Sequence, residues 1–443
     1  MTTLDAWLYG TLVAKVSSQR TRAELTFTAE ALERWGLNSA VLSGLLPLSR
    51  TSPPPARATA WLAGLLPEGR ARTRLAADAG VDPDDPVGFL SVYGRDTAGA
   101  LVLVPEGQDP EPPGTLTLVT DAQIAQLLRE ARSRGAVDQL TSVAGVETKI
   151  VLTRTPDGWA SPVGRPPSTH IVKLGRPTDS AAADLIDTEA AALDLARHCG
   201  LTTVTATITS FAGERAIVVE RYDRIRNADG TVSRIHQEDG AQVLGLDTRD
   251  PERKFQWGRA LPSLRSVARV LVAMGVSRPV GLLALTTFNL AIGNTDAHAK
   301  NISVVHHPDG STRLAPAYDV AMHRHHPQAG NRFAMDVNGE SDMTRISADD
   351  LIAEGRAWGL SVRDATRTVR DTLERLDDAM ATIDRSAHPG VGATAWSTVR
   401  ERTHQLLVQA PASPTTSRRA GRSAAVRREP KGTPGGGRFA PGA

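Results

Sequence analysis

Apolar and polar positions along the chain change period several times, and each change marks an element. Leu4 to Lys15 alternates as a strand does, with Trp7, Tyr9 and Leu12 among its members. Ser17 to Arg22 reads as a turn and Ala23 to Thr28 as a returning strand. Leu42 to Leu48 is mostly apolar and leads to the Pro53-Pro54-Pro55 loop. Leu65-Leu66-Pro67-Glu68-Gly69 opens a basic helix, Pro83 to Arg95 a loop and short helix, and Ala98 to Val104 a strand. Thr120 to Arg132 has helical spacing, with Ile124, Leu127 and Leu128 on one face. Ile150 to Thr153, His170 to Leu174 and Ala216 to Glu220 read as strands, with a helix from Asp187 to Gly200 before the last. Asn227-Ala228-Asp229-Gly230 is a hairpin turn, and from about Leu264 the pattern is mainly helical. Gly281 to Gly293 is apolar except for Thr286, Thr287 and Asn289. It is too short to span a bilayer and is expected to be a buried helix. Phe333 to Val337 reads as a strand, and Ala348 to Trp358 and Val362 to Ile383 as amphipathic helices.

This order predicts an α+β chain of several units. An N-terminal α+β unit covers 1–110, with Glu111-Pro112-Pro113-Gly114 as its linker. A strand-rich unit covers 111–225, a mainly helical one 226–410, and a tail 411–443. The 443 residues suffice for two or three domains.

Charge changes the picture at one place. The tail carries seven basic residues, from Arg418 to Arg438, and one acid, Glu429. Removing it from totals of 51 basic and 49 acidic residues leaves 44 and 48, a body at −4. Such a body is not a general nucleic-acid binder by charge. The tail, rich in Pro, Gly, Ser and Arg, is expected to be disordered. Cys199 is the single cysteine, which excludes an intramolecular disulfide and a cysteine-based zinc site and suits a reducing cytoplasm. Met1 to Gly10 has neither a basic n-region nor a long apolar h-region, so a cytoplasmic chain is expected.

The candidate chemistry gathers behind the buried helix, in Asn294-Thr295-Asp296-Ala297-His298-Ala299-Lys300-Asn301. Aspartate followed five positions later by asparagine is the spacing of a phosphoryl-transfer loop. There the aspartate orients and deprotonates an acceptor hydroxyl, and the asparagine binds magnesium. The same spacing also suits a capped turn. Lys173 lies between apolar neighbours, a position that calls for a sheet edge or an anionic partner. Glu189, in the first turn of the next helix, is its natural partner. The small-residue stretch from Thr141 to Lys149 suits close approach to phosphate or an ordinary hairpin. Glu220-Arg221-Tyr222 is a strand end or an adenine-binding crossover. Asp319, after Tyr318, is a second metal ligand or a turn residue. Met322-His323-Arg324-His325-His326 is expected to be a loop. Neither cysteine nor a helical i, i+4 histidine pair with a carboxylate accompanies it.

Taken together, these segments resemble the HipA-type serine/threonine kinases, the toxins of bacterial toxin–antitoxin pairs. The matching pieces are Leu65 to Gly69, Ser142-Val143-Ala144-Gly145-x-x-x-Lys149, Thr169 to Lys173, Glu220 to Arg224, His236-Gln237-Glu238-Asp239, Gly293 to Asn301, and Tyr318-Asp319. They fall in the family's order over roughly residues 1 to 400. The resemblance implies a two-lobed kinase-like fold with an extra N-terminal subdomain and a helical C-terminal lobe. It implies Asp296 as catalytic base, Asn301 and Asp319 as magnesium ligands, and Lys173 on the nucleotide phosphates. ATP would be lined by Ala144, Gly145, Val146, Glu147, Thr148 and Lys149, by Glu220, Arg221 and Tyr222, and by His298, Lys300, Asn301 and Tyr318. Ser142 would be an autophosphorylation site that silences the enzyme. Family substrates are aminoacyl-tRNA synthetases, and the partner is a small helix-turn-helix antitoxin that brings the pair to DNA; no membrane contact is implied. Where the family loop commonly reads Ala-Gly-Ala-Gln-x-Lys, this chain carries Glu147 in place of the neutral amide. Two other readings use the same residues. The Ser142 loop and N-terminal unit argue against a small-molecule phosphotransferase. The intact Lys173, Asp296, Asn301 and Asp319 argue against a silent co-repressor scaffold.

Overall fold

The computed structural model describes residues 2–112, 114–134, 149–163 and 167–412. Its first part runs β1 (Thr3–Leu8), β2 (Thr11–Gln19), β3 (Arg22–Phe27), α1 (Ala29–Trp35), α2 (Pro55–Ala63), α3 (Gly69–Ala79), α4 (Pro86–Tyr93) and β4 (Val102–Pro105). The strands form one antiparallel sheet in the order β3-β2-β1-β4. Leu4, Leu25, Trp61 and Phe89 meet in its core with little or no exposure. Each fully buried side chain of the Leu or Phe class contributes roughly 1.5–3 kcal/mol.

The alternation from Leu4 to Lys15 is two strands and not one. Tyr9 and Gly10, at φ 52° and 77°, reverse the chain between β1 and β2. A two-residue turn leaves the period-2 pattern uninterrupted, so alternation alone does not register the reversal. The turn expected over Ser17 to Arg22 shrinks accordingly, because Ser17, Ser18 and Gln19 are still paired with β3.

The second part holds β5 (Thr115–Leu118), α5 (Asp121–Arg134), β6 (Lys149–Thr155), β7 (Gly158–Val163), β8 (His170–Leu174), α6 (Leu185–His198), β9 (Ala206–Phe211) and β10 (Glu214–Glu220). The strands form a six-stranded antiparallel sheet in the order β5-β7-β6-β8-β10-β9. Ala216 and Val218 pack with Ile124 and Leu128 of α5, whereas Ile217 and Val219 pack with α6 and the C-terminal core. The period of two thus sends alternate residues to opposite faces. Val172 and Leu174 belong to the α5 face, which puts Lys173 on the α6 side.

The remainder comprises β11 (Arg224–Arg226), β12 (Val232–Arg234), β13 (His236–Asp239), α7 (Gly240–Val243), α8 (Leu264–Ala273), α9 (Val280–Ile292), β14 (Ser303–His306), β15 (Thr312–Leu314), β16 (Arg332–Val337), β17 (Glu340–Asp342), α10 (Ala348–Ala357), α11 (Val362–Thr382) and α12 (Ala393–Gln409). The region after Leu264 is mainly helical, as its pattern predicts, and β16 stands where Phe333 to Val337 was expected; the short strands β14, β15 and β17 were not announced by the pattern. Helix α12 is an element the pattern did not announce. Its buried stripe of Ala395, Trp396, Val399 and Leu406 includes Thr403, whose hydroxyl donates to the Val399 carbonyl at 2.8 Å. A polar residue in the stripe hides the helical period.

Buried polar clusters join the first part to the rest. Glu238, 1% exposed, accepts bonds from Ser43 Oγ and Gly44 N–H at 2.7 Å, Trp61 Nε1 at 2.9 Å and His306 Nε2 at 2.8 Å. Arg224 pairs with Asp96 and Asp223 at 2.9 Å each, and Gly99 N–H donates to Asp223 at 2.7 Å. Among the described residues no helix is long and apolar enough to cross a membrane.

Candidate phosphoryl-transfer site

Helix α9 is the floor on which the site is built. Ten of its residues, from Leu282 to Ile292, are buried, and it ends at Gly293 in the left-handed region, φ 73°. A Cβ at Gly293 would stand 2.7 Å from Arg324 Cβ, so both conformation and space require glycine. The chain then turns on side-chain bonds. Asn294 Nδ2 donates to Asn289 Oδ1 at 2.9 Å, and Asn294 Oδ1 accepts from Asp296 N–H at 3.1 Å. Asn301 Nδ2 donates to the Asp296 carbonyl at 2.9 Å, closing the loop across five residues. The backbone of Asp296 is therefore held from both sides while its side chain stays 51% exposed. The turn is hydrogen-bonded, as the capped-turn reading expects, and it leaves the Asp296 carboxylate exposed.

The other charged groups arrive from distant segments. Lys173 Nζ lies 2.8 Å from Glu189 Oε1 and also contacts Asp319 Oδ1. Lys149 stands opposite Lys173 in the β6–β8 ladder. Burial works against ionising Asp319, but the Lys173 charge and hydrogen bond, followed by Lys149 and His298, hold its carboxyl well below the usual range. Asp319 has a left-handed backbone, φ 53°, and its side chain remains 44% exposed. Held strain of this kind in a non-glycine residue is common at functional sites.

His298, 3.8 Å from Asp296, is pushed down to about 3 by burial and by Lys254. It is neutral at pH 7, so that contact is not an ion pair. Its ring meets Phe255 edge-on at 5.1 Å. Lys300 is buried and engaged by Asp239 at 3.0 Å, the Gly64 carbonyl at 3.1 Å and Glu68 at 3.9 Å. Burial disfavours its charge, yet Asp239 and Glu68 raise its pKa. Tyr318 donates to the Lys300 carbonyl at 2.7 Å, and its ring lies 5.4 Å from that of Tyr222. Arg221 is not among these groups. Its guanidinium donates to Asp223, to Ser168 Oγ at 2.8 Å and to the Thr97 carbonyl at 2.9 Å, a buried structural tie. Glu220 pairs with His170 in the sheet and accepts from Thr205 Oγ1 at 2.9 Å. Ser142, Ala144, Gly145, Val146, Glu147 and Thr148 lie outside the described residues.

Three participants were given no individual role by the sequence. Glu68 receives Lys254 at 2.9 Å besides Lys300. Burial raises its pKa, and those two lysines outweigh burial and lower it. Asn289 and Asn294 position the loop. The Leu-Leu-Pro-Glu-Gly stretch was the signal for Glu68, and a lone asparagine in an apolar helix the signal for Asn289.

The oxygen donors fit a magnesium ion. Asn301 Nδ2 is spent on Asp296, which leaves Oδ1 as the donor it offers, and Asp319 supplies a carboxylate kept ionised by Lys173. One carboxylate and one amide oxygen, completed by phosphate and water, suit that small hard cation.

Residues 4–104 match the model of the HipA N-terminal domain, and residues 141–380 that of the HipA-like C-terminal domain. The chain is 31% identical over 394 residues to a protein named putative kinase Y4mE of Sinorhizobium fredii, covering 86% of this chain and 91% of that protein. It is 28% identical over 404 residues to the serine/threonine-protein kinase toxin HipA of Shewanella oneidensis, covering 86% and 89%. A chain from the Shewanella oneidensis complex of HipA, HipB and operator DNA superposes with a TM-score of 0.75 at 25% identity, over 92% of this chain and 96% of that one. The fold is therefore the two-lobed, kinase-like α+β fold with an N-terminal subdomain, and the chain belongs to the HipA family of kinases.

Proposed function

We propose that the chain is an ATP- and magnesium-dependent serine/threonine protein kinase. One observation carries the reading: Lys173 joins Glu189 and Asp319, residues from a strand, a helix and a loop, beside a rigid loop presenting Asp296 and Asn301. A phosphoryl-transfer site needs such parts, because its catalysis is mostly positioning and charge stabilisation. Lys173 and Lys149 would receive nucleotide phosphates, with the backbone of Glu220 to Tyr222 and the Tyr318 ring along the nucleotide. Asp296 would orient the acceptor hydroxyl and take its proton. Asn301 and Asp319 would hold magnesium, which when bound neutralises charge on the phosphates. Lys300, fixed by Glu68 and Asp239, would add positive potential from the floor. Units over 1–110, 111–225 and 226–410 would be the N-terminal subdomain and the two lobes.

The substrate would be an aminoacyl-tRNA synthetase or a similar translation protein, and Ser142 the autophosphorylation site that silences the enzyme. The Shewanella oneidensis relative was solved with HipB and operator DNA. A small helix-turn-helix partner of that kind would carry this chain to DNA in the cytoplasm, consistent with the −4 balance of the body. The test is incubation of the purified protein with ATP and magnesium, followed by intact mass and peptide mapping, with Asp296→Asn as control. Phosphate on Ser142 in the unaltered protein alone is the expected result. ATP binding with no transfer, either to itself or to synthetases supplied with their tRNA, would instead favour a silent co-repressor scaffold.

A further inference from the structure

A second constellation lies outside the phosphoryl-transfer site. The His323–His326 segment is irregular, as its sequence led us to expect, but the fold brings a carboxylate to it from the start of α6. His325 Nε2 is 2.8 Å from Asp184 Oδ2, and His326 Nε2 is 2.7 Å from Asp184 Oδ1. One donor atom from each of the three residues lies within 4.8 Å of the others. The side chains of His325 and His326 are 9% and 10% exposed, and that of Asp184 is 25% exposed, so the cluster is largely enclosed with one open side. The neighbouring cation is turned away, since Arg324 donates to the Gly330 carbonyl and to Asn331.

We propose that Asp184, His325 and His326 form a binding site for one zinc-class divalent cation, with solvent as the fourth ligand. Two imidazole nitrogens and one carboxylate oxygen are a borderline donor set that favours zinc or its transition-metal neighbours over magnesium. Coordination through Nε2 leaves each imidazole neutral with its proton on Nδ1. Tetrahedral bonds of about 2.0–2.1 Å put ligand atoms roughly 3.3 Å apart. The present contacts therefore open by about half an ångström to admit the ion.

The position gives the site a consequence. Asp184 precedes Glu189 at the start of α6, and His325 follows Asp319 in the same loop, between β15 and β16. Glu189 and Asp319 are the two acids that grip Lys173. A cation at Asp184 would clamp together the two segments that carry them. The site itself stands on its own ligands, whether or not the chain transfers phosphate.

The experiment is a zinc titration of the full chain, stripped of metal by a chelator, against a chromophoric competitor. Thermal unfolding is recorded alongside. The variants are H325A/H326A, Asp184→Asn, and His404→Ala as a control on an exposed histidine of α12. We expect one zinc per chain and a rise in Tm with zinc. The affinity should fall at least tenfold in H325A/H326A and in Asp184→Asn and stay unchanged in His404→Ala. Magnesium in excess should not displace the ion. Asp184→Asn keeps the side-chain volume and serves as the decisive variant if the double replacement does not fold. No zinc uptake by the unaltered chain, or equal uptake by it and Asp184→Asn, overturns the proposal and leaves the cluster as hydrogen bonds alone.

Discussion

Lys173 Nζ stands 2.8 Å from Glu189 Oε1, and the same ammonium reaches Asp319, so one side chain joins β8, α6 and the loop after β15. Lys173→Met removes that ammonium from a carboxylate only 3% exposed. Breaking a buried pair from one side costs about 3–5 kcal/mol. The urea midpoint should fall accordingly, and kcat/KM for ATP by at least about 100-fold. The double variant Lys173→Met/Glu189→Leu should regain much of the stability and none of the turnover. If stability and turnover return together, Lys173 is a structural residue only.

Asp296→Asn separates chemistry from folding. The loop is held through the backbone of Asp296, by Asn294 and Asn301, while its carboxylate is half exposed. Transfer should drop by about 10²–10⁴, the usual worth of a general base. Stability should change by no more than about 0.5 kcal/mol, as at ordinary exposed positions. A nucleotide-binding assay should give affinity within a few-fold of the unaltered chain.

Glu238→Ala should be among the most damaging changes outside the phosphoryl-transfer site. It strands four donors, Ser43, Gly44, Trp61 and His306, at the junction between the N-terminal part and the rest. Each buried donor left unsatisfied costs about 1–3 kcal/mol. Trp61→Phe removes only one of these bonds and should cost about 1 kcal/mol beyond its packing change. Chemical denaturation of the two variants side by side checks the order.

Stability should fall on mild acidification. Burial, with His306 next, lowers His236 to about 4, and burial, with Lys254 next, lowers His298 to about 3. In the unfolded chain both return to about 6.5. Between about pH 6.5 and 4 the unfolded state therefore binds protons that the fold refuses, and stability is lost as pH drops through that window. Asp223 acts lower down. Burial alone would raise it, but Arg221 and Arg224 hold it at about 2, so its contribution is present above about pH 3.9 and lost as pH falls through about 2. Unfolding free energies that stay flat from about pH 7 to about pH 4.5 would contradict this assignment.

Much of the architecture is legible in local pattern. Helix α9 follows from its apolar run and from Gly293, helices α5, α10 and α11 from their spacing, and β8 and β10 from short apolar runs. The hairpin at Tyr9–Gly10 was not legible, because a two-residue turn preserves alternation. Nor was α12, whose core stripe contains a threonine satisfied by its own helix. The pairing of Lys173 with Glu189 could be anticipated, since an apolar strand demands an anionic partner for a lysine and the next helix offers one. The burial of Arg221 could not, since its partners Thr97 and Ser168 lie in two other parts of the chain.

The sequence by itself determined the principal helices α5, α9, α10 and α11, the strands β8 and β10, the five-residue interval from Asp296 to Asn301, and the lysine that needs a counter-charge. These depend on period, capping and charge within a few residues of chain. Only the tertiary structure decided that Asp319 reaches Lys173 across 146 residues, that Glu238 locks Ser43 and Trp61 across 195 and 177, and that Asp184 meets His325 across 141. Contacts at such separations arise where packed surfaces bring groups together, and burial then makes each unpaired charge or donor costly. That cost selects the partners, and no local pattern records it.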